Sequence, residues 1–521
     1  MLKNKYLYIV ILIVLVSIDS FSKVKPASLF TNNLVLQRNK IINVWGKADV
    51  GEKVTVTFDN QSKHTVADAN KYWKIELDPM SAGGPYEMKI KGENEILLKN
   101  ILIGEVWVCS GQSNMGLAVK NAANGEEEIA NANYPMIRLF DVKRMVSDTE
   151  QFYCSGSWAE CSPKSVGGFS AAAYYFGREL YKELNVPIGL IESAYGGTEA
   201  ECWMEKKILK SDNDFVSILN KWDKKMEKYP ADLAKFNENS AALLKNWYVD
   251  SANAVAKGMA PPRKPGPPEA PGSRNTPCGL FNAMIVPLIP YTIQGVIWYQ
   301  GEANVKNAFQ YRRLFPALIQ NWRDRWGQGE FPFYFVQLPN LYREPEPTKS
   351  GWPELRESQM LSLSVPNTGM AVTIDIGDPT NLHPKNKQDV GHRLALIAES
   401  KVYGKDINYS GPIYKNCMIE GKNLHLTFDQ VGEGLLCKGS DKLIGFEVLS
   451  PDGKILPAEA RIAGNDVVVW NDSIPNPVSA RYAWGDDPKC NLYNNALLPA
   501  SPFRTDSEKT ISTNKQNTIK Q

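Results

Sequence analysis

The stretch Val106-Trp-Val-Cys-Ser-Gly-Gln-Ser-Asn-Met115 decides the fold of this chain. The apolar run over 101–108 predicts a buried strand, and Ser110-Gly111 predicts a turn at the end of that strand. Glycine permits a close backbone approach that a side chain would block. Ser113 therefore stands at the carboxyl end of a strand, where open α/β sheets carry their sites. The stretch indicates a nucleophilic serine, although most Ser-Gly turns only connect two elements.

The composition narrows the class of protein. A length of 521 residues allows two to four domains with a substantial core. Hydrophobic residues make up 43% and charged residues 22%, which is typical of an ordinary globular protein. The formal net charge is +2 and no long basic run occurs, so nothing indicates a nucleic-acid partner.

The amino terminus predicts export. Lys3 and Lys5 precede the apolar run 6–16, and the small residues Ser20 and Ser22 follow it. This order is that of a secretory signal peptide, which we predict over residues 1–22. The apolar run is shorter than the roughly 18 residues of a membrane span. We expect a periplasmic or secreted protein without a membrane attachment after cleavage.

Export makes the eight cysteines candidates for disulfides, and the sequence leaves their pairing open. Cys154 and Cys161 are close enough in the sequence to bridge, whereas Cys109, beside the serine turn, is expected to be a buried thiol. The chain has only four histidines, and no Cys/His spacing is that of a zinc site. We therefore expect no metal and no cofactor.

Hydrophobic periodicity divides the chain into three regions. Period-2 alternation over 23–100 predicts an antiparallel β-sandwich, and alternation returns in a second β region over 405–505. Strands alternating with helices over 101–404 predict an α/β domain, with a parallel sheet covered on both faces. Within it, about 205–275 is predicted to be an insertion, a polar helical hairpin followed by an extended proline-rich strap. The polar tail 506–521 is predicted to be disordered.

The elements predicted inside the α/β domain place several loops at one sheet edge. The predicted helix over 170–184 has Ser170 as its candidate N-cap. The other predicted elements are strands over 187–191, 294–299, 333–338 and 370–376, and helices over 311–322 and 388–400.

Hydrolysis of an ester by serine needs a base and donors for the oxyanion. His383 follows the strand 370–376, so its imidazole is expected at the same sheet edge as Ser113. The other three histidines lie in a predicted helix or in the β regions, where none can serve. Two more loops follow buried strands at this edge. The loop 192–198 offers a backbone N–H in its Gly-Gly pair, and the loop 298–304 offers the Asn304 side chain.

These segments resemble the four blocks of the SGNH hydrolases, and most closely the sialate O-acetylesterase branch. The blocks are Gly111-Gln-Ser-Asn114, the Gly-Gly loop, Gly301-Glu-Ala-Asn304 and the late histidine loop. Further similarities to that branch run in order along nearly the whole mature chain: Gly104-Glu-Val-Trp-Val108, Ile191-Glu-Ser-Ala-Tyr-Gly-Gly-Thr198, Leu280-Phe-Asn-Ala-Met284, Ile297-Trp-Tyr-Gln-Gly-Glu302, His383-Pro-Lys-Asn-Lys-Gln388 and Tyr482-Ala-Trp484.

The resemblance implies an SGNH-type three-layer hydrolase domain and a role for each matching position. Ser113 would be the nucleophile and His383 the base and later the acid. The oxyanion would be held by the backbone N–H of Ser113, the N–H of Gly197 and the side chain of Asn304. The resemblance also suggests that Gln112, Gln300 and Glu302 bind substrate.

One position departs from the family pattern. Members commonly place an aspartate about three residues before the histidine, where this chain has Thr380. Asp378 is the nearest acid that could orient His383, Asp375 is an alternative, and a Ser-His dyad supported by backbone is the third reading.

The resemblance implies a serine esterase that removes O-acetyl groups, including the 9-O-acetyl group, from sialic acids, and the amino-terminal segment adds export to this hypothesis. The motifs do not separate this substrate from acetylated xylan or another acetylated glycan. A third hypothesis, from another class, is a glycan-binding protein without catalysis. A sialic acid carboxylate would need a basic partner, for which Arg138 and Arg144 are candidates.

Overall fold

The computed structural model describes residues 23–257, 261–262, 264–342 and 350–506. The predicted signal peptide, and the predicted tail after Asp506, lie outside these residues. Within them, no helix combines the length and the apolar character that a membrane crossing requires.

The amino-terminal region consists of β-strands, as the period-2 alternation predicts. Val54, Val56 and Phe58 of β4 are buried while Thr55 and Thr57 between them are partly exposed. Strands β1, β3 and β6 form one antiparallel sheet, and β4 pairs with β5 and β7 in another. The strands are β1 (Lys25–Pro26), β2 (Val35–Gln37), β3 (Ile42–Lys47), β4 (Lys53–Phe58), β5 (Gln61–Val66), β6 (Tyr72–Leu77), β7 (Gly83–Lys91) and β8 (Glu95–Gly111).

Strand β8 connects this region to the α/β domain. Its first half pairs antiparallel with β7, and its second half lies in the middle of a parallel sheet. That sheet has the order β10-β9-β11-β8-β12-β13-β14, and only β10 runs antiparallel to its neighbour. The strands are β9 (Tyr134–Asp141), β10 (Trp158–Cys161), β11 (Ile188–Ala194), β12 (Gly295–Tyr299), β13 (Phe333–Val336) and β14 (Thr368–Ala371). The predicted α/β class is confirmed.

Strand β14 is shorter than the strand predicted over 370–376. Pairing with β13 ends at Ala371. Beyond it the contact with the segment after β13 passes to a side chain, since the Thr373 hydroxyl donates to the carbonyl of Gln337 at 2.5 Å. The residues after Ala371 therefore belong to the loop that leads to His383.

Helices cover both faces of the parallel sheet. Trp107 and Cys109 of β8 share one core cluster with α2 and α7, whereas Val106 and Val108 share the other with α5. Ser170 caps α2 as predicted, because its hydroxyl accepts from the N–H of Ala173 at 3.1 Å. The helices are α1 (Gly125–Asn131), α2 (Ala171–Leu184), α3 (Lys206–Lys210), α4 (Asn213–Ala256), α5 (Ala308–Trp326), α6 (Trp352–Leu361) and α7 (Gln388–Lys401).

The prediction of a helical hairpin in the insertion is wrong. The structure has one helix, α4, of 44 residues, with Pro230 inside it. The segment contains no glycine that could turn the chain, and its Lys, Glu, Ala and Leu residues favour continued helix over the local cost of the proline.

The predicted proline-rich strap is present as an extended segment that returns along α4. The indole N–H of Trp247 donates to the carbonyl of Pro262 at 2.8 Å, and Lys225 forms an ion pair with Glu269. The strap is therefore held to the helix at two points and leads back toward the sheet.

The carboxyl-terminal region forms further antiparallel sheets, as its alternation predicts. One has the order β15-β16-β21-β20, another β19-β18-β22-β24, and β17 pairs with β23. Leu424, Leu426, Val467 and Val469 lie in their shared core. The strands are β15 (Ile413–Glu420), β16 (Asn423–Asp429), β17 (Leu435–Cys437), β18 (Phe446–Leu449), β19 (Ile455–Pro457), β20 (Glu459–Ala463), β21 (Asp466–Trp470), β22 (Ser479–Tyr482), β23 (Leu492–Asn494) and β24 (Phe503–Arg504).

All eight cysteines are free thiols in the structure, so Cys154 and Cys161 do not form the bridge that their spacing suggested. Cys109 is buried, as expected, and burial raises the pKa of its thiol well above the usual range. A protonated, buried thiol is a packing residue and not a nucleophile.

Candidate active site

A tight turn at the end of β8 positions Ser113. Gly111 has φ +140°, and a side chain there would collide with the carbonyl oxygen of Tyr299 on the neighbouring strand β12. The N–H of Gln112 donates to the same carbonyl at 3.0 Å, and the N–H of Tyr195 donates to the Gly111 carbonyl at 3.1 Å. The turn is therefore fixed between β11 and β12 with Ser113 at the sheet edge.

The histidine loop brings an imidazole to this serine. Oγ of Ser113 lies 2.8 Å from Nε2 of His383. The loop is shaped locally, since the N–H of His383 donates to Oδ1 of Asn381 at 2.9 Å. Two residues separated by 270 positions in the chain thus form the hydrogen-bonded pair that a serine hydrolase needs.

Asn114 ties the serine turn to the histidine loop. Its Nδ2 donates to the carbonyl of Leu382, the residue before His383, at 3.0 Å. The same Nδ2 donates to Oε1 of Glu302 at 2.6 Å, and its Oδ1 accepts from Nζ of Lys387 at 2.7 Å. One buried amide therefore connects three of the loops at this sheet edge.

The charges around Asn114 alter the acidity of the site. Burial lowers the pKa of Lys387 to about 7, although Glu302 opposes the shift. Burial also raises the pKa of the Glu302 carboxyl. The pKa of His383 is lowered, first by burial and then by the positive charge of Lys387. The imidazole therefore stays neutral, as a general base must, to a pH below its usual range.

The Gly-Gly loop and Asn304 also lie at this edge. Cβ of Ser113 is 3.2 Å from the position that a Cβ of Gly196 would occupy, so Gly196 packs directly against the serine and Gly197 follows it. Asn304 is buried, and its Oδ1 accepts from the N–H of Ala200 at 2.9 Å. Its Nδ2 donates to Oε2 of Glu201 at 2.9 Å, which leaves the second hydrogen of that amide for another acceptor.

Comparisons with known proteins show which family this chain belongs to. The model of the family described as carbohydrate esterase, sialic acid-specific acetylesterase, matches residues 103–248 and 281–399, which include Ser113 and His383. The chain belongs to this family. It is a carboxylic ester hydrolase, and both matched segments lie inside the α/β domain predicted over 101–404.

Relatives of the family cover nearly the whole chain. The chain is 32% identical to the sialate O-acetylesterase of Mus musculus over 92% of its own length and 93% of that protein. Its identity to the sialate O-acetylesterase of Homo sapiens is 30%, over 92% of this chain and 91% of the human one. A crystal structure of a carbohydrate acetylesterase from Xanthomonas citri superposes with a TM-score of 0.79 at 35% identity, covering 93% of this chain and 100% of that chain.

The acid candidates of this esterase are not bonded to the imidazole. Asp378 Oδ1 accepts from the N–H and the hydroxyl of Thr380, at 2.9 and 2.8 Å. Asp375 pairs with Arg393 at 2.6 Å and accepts from the Tyr493 hydroxyl. Among the described contacts no carboxylate reaches His383, because Asp378 bonds within its own loop and Asp375 bonds to Arg393 and Tyr493.

Gln112 and Gln300, suggested as substrate ligands, are instead buried links between loops. Gln112 Oε1 accepts from the N–H of Ala303 at 3.3 Å. Gln300 Nε2 donates to the Thr198 carbonyl at 3.1 Å and to Asn304 at 2.6 Å. Oε1 of Glu302, the third suggested ligand, accepts a hydrogen bond from Nδ2 of Asn114. All three side chains therefore join loops of the site to each other.

Two residues that connect the loops of the site, Asn114 and Lys387, were not predicted from the sequence. Asn114 and Lys387 both lie in motifs that resemble the family, yet no spacing rule links them because they are 273 positions apart.

Among the described residues, no group of three histidine, cysteine, aspartate or glutamate side chains is arranged to hold a metal ion.

Proposed function

We propose that this esterase hydrolyses O-acetyl esters of sialic acids, including the 9-O-acetyl ester, through an acyl-enzyme on Ser113. The contact of 2.8 Å between Ser113 Oγ and His383 Nε2 carries the proposal. Family membership and the two sialate O-acetylesterases of similar length support the substrate class.

In the first half of the reaction, Ser113 attacks the acetyl carbonyl while His383 accepts its proton. The negative oxygen that forms is held by the N–H of Ser113, an N–H of the Gly-Gly loop at Gly197, and the free hydrogen of the Asn304 amide. The imidazolium then gives its proton to the sugar oxygen, and the deacetylated sugar leaves.

In the second half, water attacks the acetyl group on Ser113 and His383 again takes a proton. The tetrahedral intermediate collapses, the proton returns to Ser113 and acetate leaves. The dyad needs no third acid for orientation if the loop around His383 is rigid, and the contacts of Asn381 and Asn114 supply that rigidity.

An acetate-release assay tests the proposal. We expect the wild-type enzyme to release acetate from 9-O-acetylated sialic acid and from p-nitrophenyl acetate, and to favour the sialic acid over acetylated xylan. Ser113→Ala should abolish all turnover, whereas Ser364→Ala, at an exposed serine, should not change it. A preference for acetylated xylan would contradict sialic acid as the substrate. Turnover by the Ser113→Ala variant would refute the assignment of Ser113 as the nucleophile.

We also propose that residues 1–22 direct export and are removed. The positive residues, the apolar run and the small residues near Ser22 support this. Fractionation of the source cells, followed by amino-terminal sequencing, should find a chain that begins near Lys23 outside the cytoplasm. Recovery of the full-length chain in the cytoplasm would contradict export.

A further inference from the structure

An arginine from the proline-rich strap lies above the Gly-Gly loop of the candidate site. Cζ of Arg274 is 3.2 Å from the position that a Cβ of Gly197 would occupy. The strap is anchored here, because the N–H of Thr276 donates to the carbonyl of Ser273 at 2.9 Å and the N–H of Cys278 donates to that of Glu201 at 3.0 Å. The long insertion thus returns to the sheet edge and delivers one guanidinium to the site.

This guanidinium has no partner among the described residues. Arg274 is exposed, and no described carboxylate or carbonyl pairs with it. The acidic groups of the neighbouring loop are engaged elsewhere. Glu201 accepts from Asn304, and burial raises the pKa of Glu199 to about 8. Arginine remains charged at any pH at which the enzyme works, so an unpaired positive charge lies beside the Gly-Gly loop.

The two arginines suggested by the sequence are placed differently. Arg138 is buried in β9, where it bonds to the Pro135 carbonyl and lies 3.4 Å from Glu160. It is therefore unavailable to a substrate. Arg144 lies over the ring of Tyr195, with its Cζ 5.4 Å from the ring centroid. Arg274 is the better candidate because it lies directly over Gly197.

The distance suits a sialic acid. Ser113 Cβ lies next to Gly196, and the guanidinium of Arg274 lies next to Gly197. Because Gly196 and Gly197 are consecutive, adding the two contacts to the distance between their Cα atoms puts the guanidinium within about 13 Å of Ser113 Cβ. In a sialic acid, seven bonds separate the carboxyl carbon from the oxygen at position 9, which span about 8 Å when extended. A substrate with its 9-O-acetyl group at Ser113 can therefore reach Arg274 with its carboxylate.

We propose that Arg274 binds the carboxylate of the sugar substrate and so selects acidic sugars over neutral acetylated glycans. A guanidinium matches a carboxylate with two parallel hydrogen bonds, a geometry that lysine cannot reproduce. The inference rests on the proposed function and deepens it, because it assigns the recognition of the acid group to one residue of the insertion.

The test compares three substrates that share an acetyl ester: 9-O-acetylated sialic acid methyl glycoside, its C1 methyl ester, and p-nitrophenyl acetate. Arg274→Gln should lower kcat/KM for the free acid about 10- to 100-fold, mainly through KM. It should leave the methyl ester and p-nitrophenyl acetate within about twofold. Arg274→Lys should restore part of the loss. Arg461→Gln, at an exposed arginine of β20, is the control and should change none of the three.

The outcomes separate this inference from the proposed function. If the wild type cleaves the free acid and Arg274→Gln cleaves it equally well, the assignment of Arg274 is wrong and the function stands. An equal loss on all three substrates would show a structural role and would also overturn the assignment. A wild type that cleaves p-nitrophenyl acetate but not the free acid would refute the proposed function, and this inference with it.

Discussion

Replacing Asn114 with alanine should separate the serine turn from the histidine loop. The side chain makes two hydrogen bonds to charged groups, Glu302 and Lys387, and one to the Leu382 carbonyl. At about 1.5–3 kcal/mol for each charged partner and 0.5–1.5 kcal/mol for the neutral one, the loss is about 3.5–7.5 kcal/mol of unfolding free energy. The loss of unfolding free energy is near the lower end of this range if Lys387 and Glu302 form an ion pair with each other in the variant.

The same change should slow catalysis. Without its bond to Asn114, the chain before His383 loses an anchor, and a displacement of about 1 Å at a catalytic group costs about 10²-fold in rate. We expect kcat/KM for p-nitrophenyl acetate to fall about 100-fold in Asn114→Ala. Urea unfolding measures the stability, and the kinetics are read well below the melting temperature, where circular dichroism shows a folded protein.

Asn321→Ala is the matched control. Asn321 of α5 is equally buried, accepts from the N–H of Glu205 at 2.9 Å and donates to its carboxylate at 2.5 Å, but among the described residues it forms no hydrogen bond with the site loops. It should lose stability while kcat/KM stays within about threefold. Equal kinetic losses in the two variants, or an unchanged kcat/KM in folded Asn114→Ala, would refute the role of Asn114 as the link between the loops.

Three further changes test the remaining parts of the site. Asp378→Asn should cost less than about tenfold in kcat, instead of the about 10⁴-fold expected for a triad aspartate, because Asp378 is bonded to Thr380; a larger loss in kinetic assays would restore a triad. The acid limb of kcat/KM should have its midpoint below pH 6.5, because burial and Lys387 lower the pKa of the His383 base. Lys387→Met removes the positive neighbour and should move that limb to higher pH, and a limb that stays in place would contradict the assigned cause. Asn304→Ala should lower kcat by about 10²–10³ with an unchanged circular dichroism spectrum, and a kcat near wild type would remove Asn304 from the oxyanion site.

The sequence predicted the parts of the structure that depend on local pattern. Buried apolar runs mark where the strands of the parallel sheet lie, although not where each one ends, and the N-cap at Ser170 follows from residue type. Because parallel strands end at one edge, the sequence also indicated that Ser113 and His383 would lie close together. The 2.8 Å contact agrees with that expectation.

Other features depend on tertiary contacts that no local pattern encodes. The residues on both sides of Pro230 continue the helix through it, so one long helix forms where a hairpin was predicted. Gln112 and Gln300 have the side chains of substrate ligands, and only their burial shows that they link loops. Arg274 stands in a proline-rich stretch whose composition gives no sign that it returns to Gly197.

The most direct test of the account is the identity of the residue that carries the acetyl group. The esterase is quenched during turnover of p-nitrophenyl acetate, and peptide mass spectrometry then locates the acetyl adduct. We predict an adduct on Ser113 that is absent from Ser113→Ala, which should also be inactive. An adduct on another residue, or turnover by the alanine variant, would contradict the account.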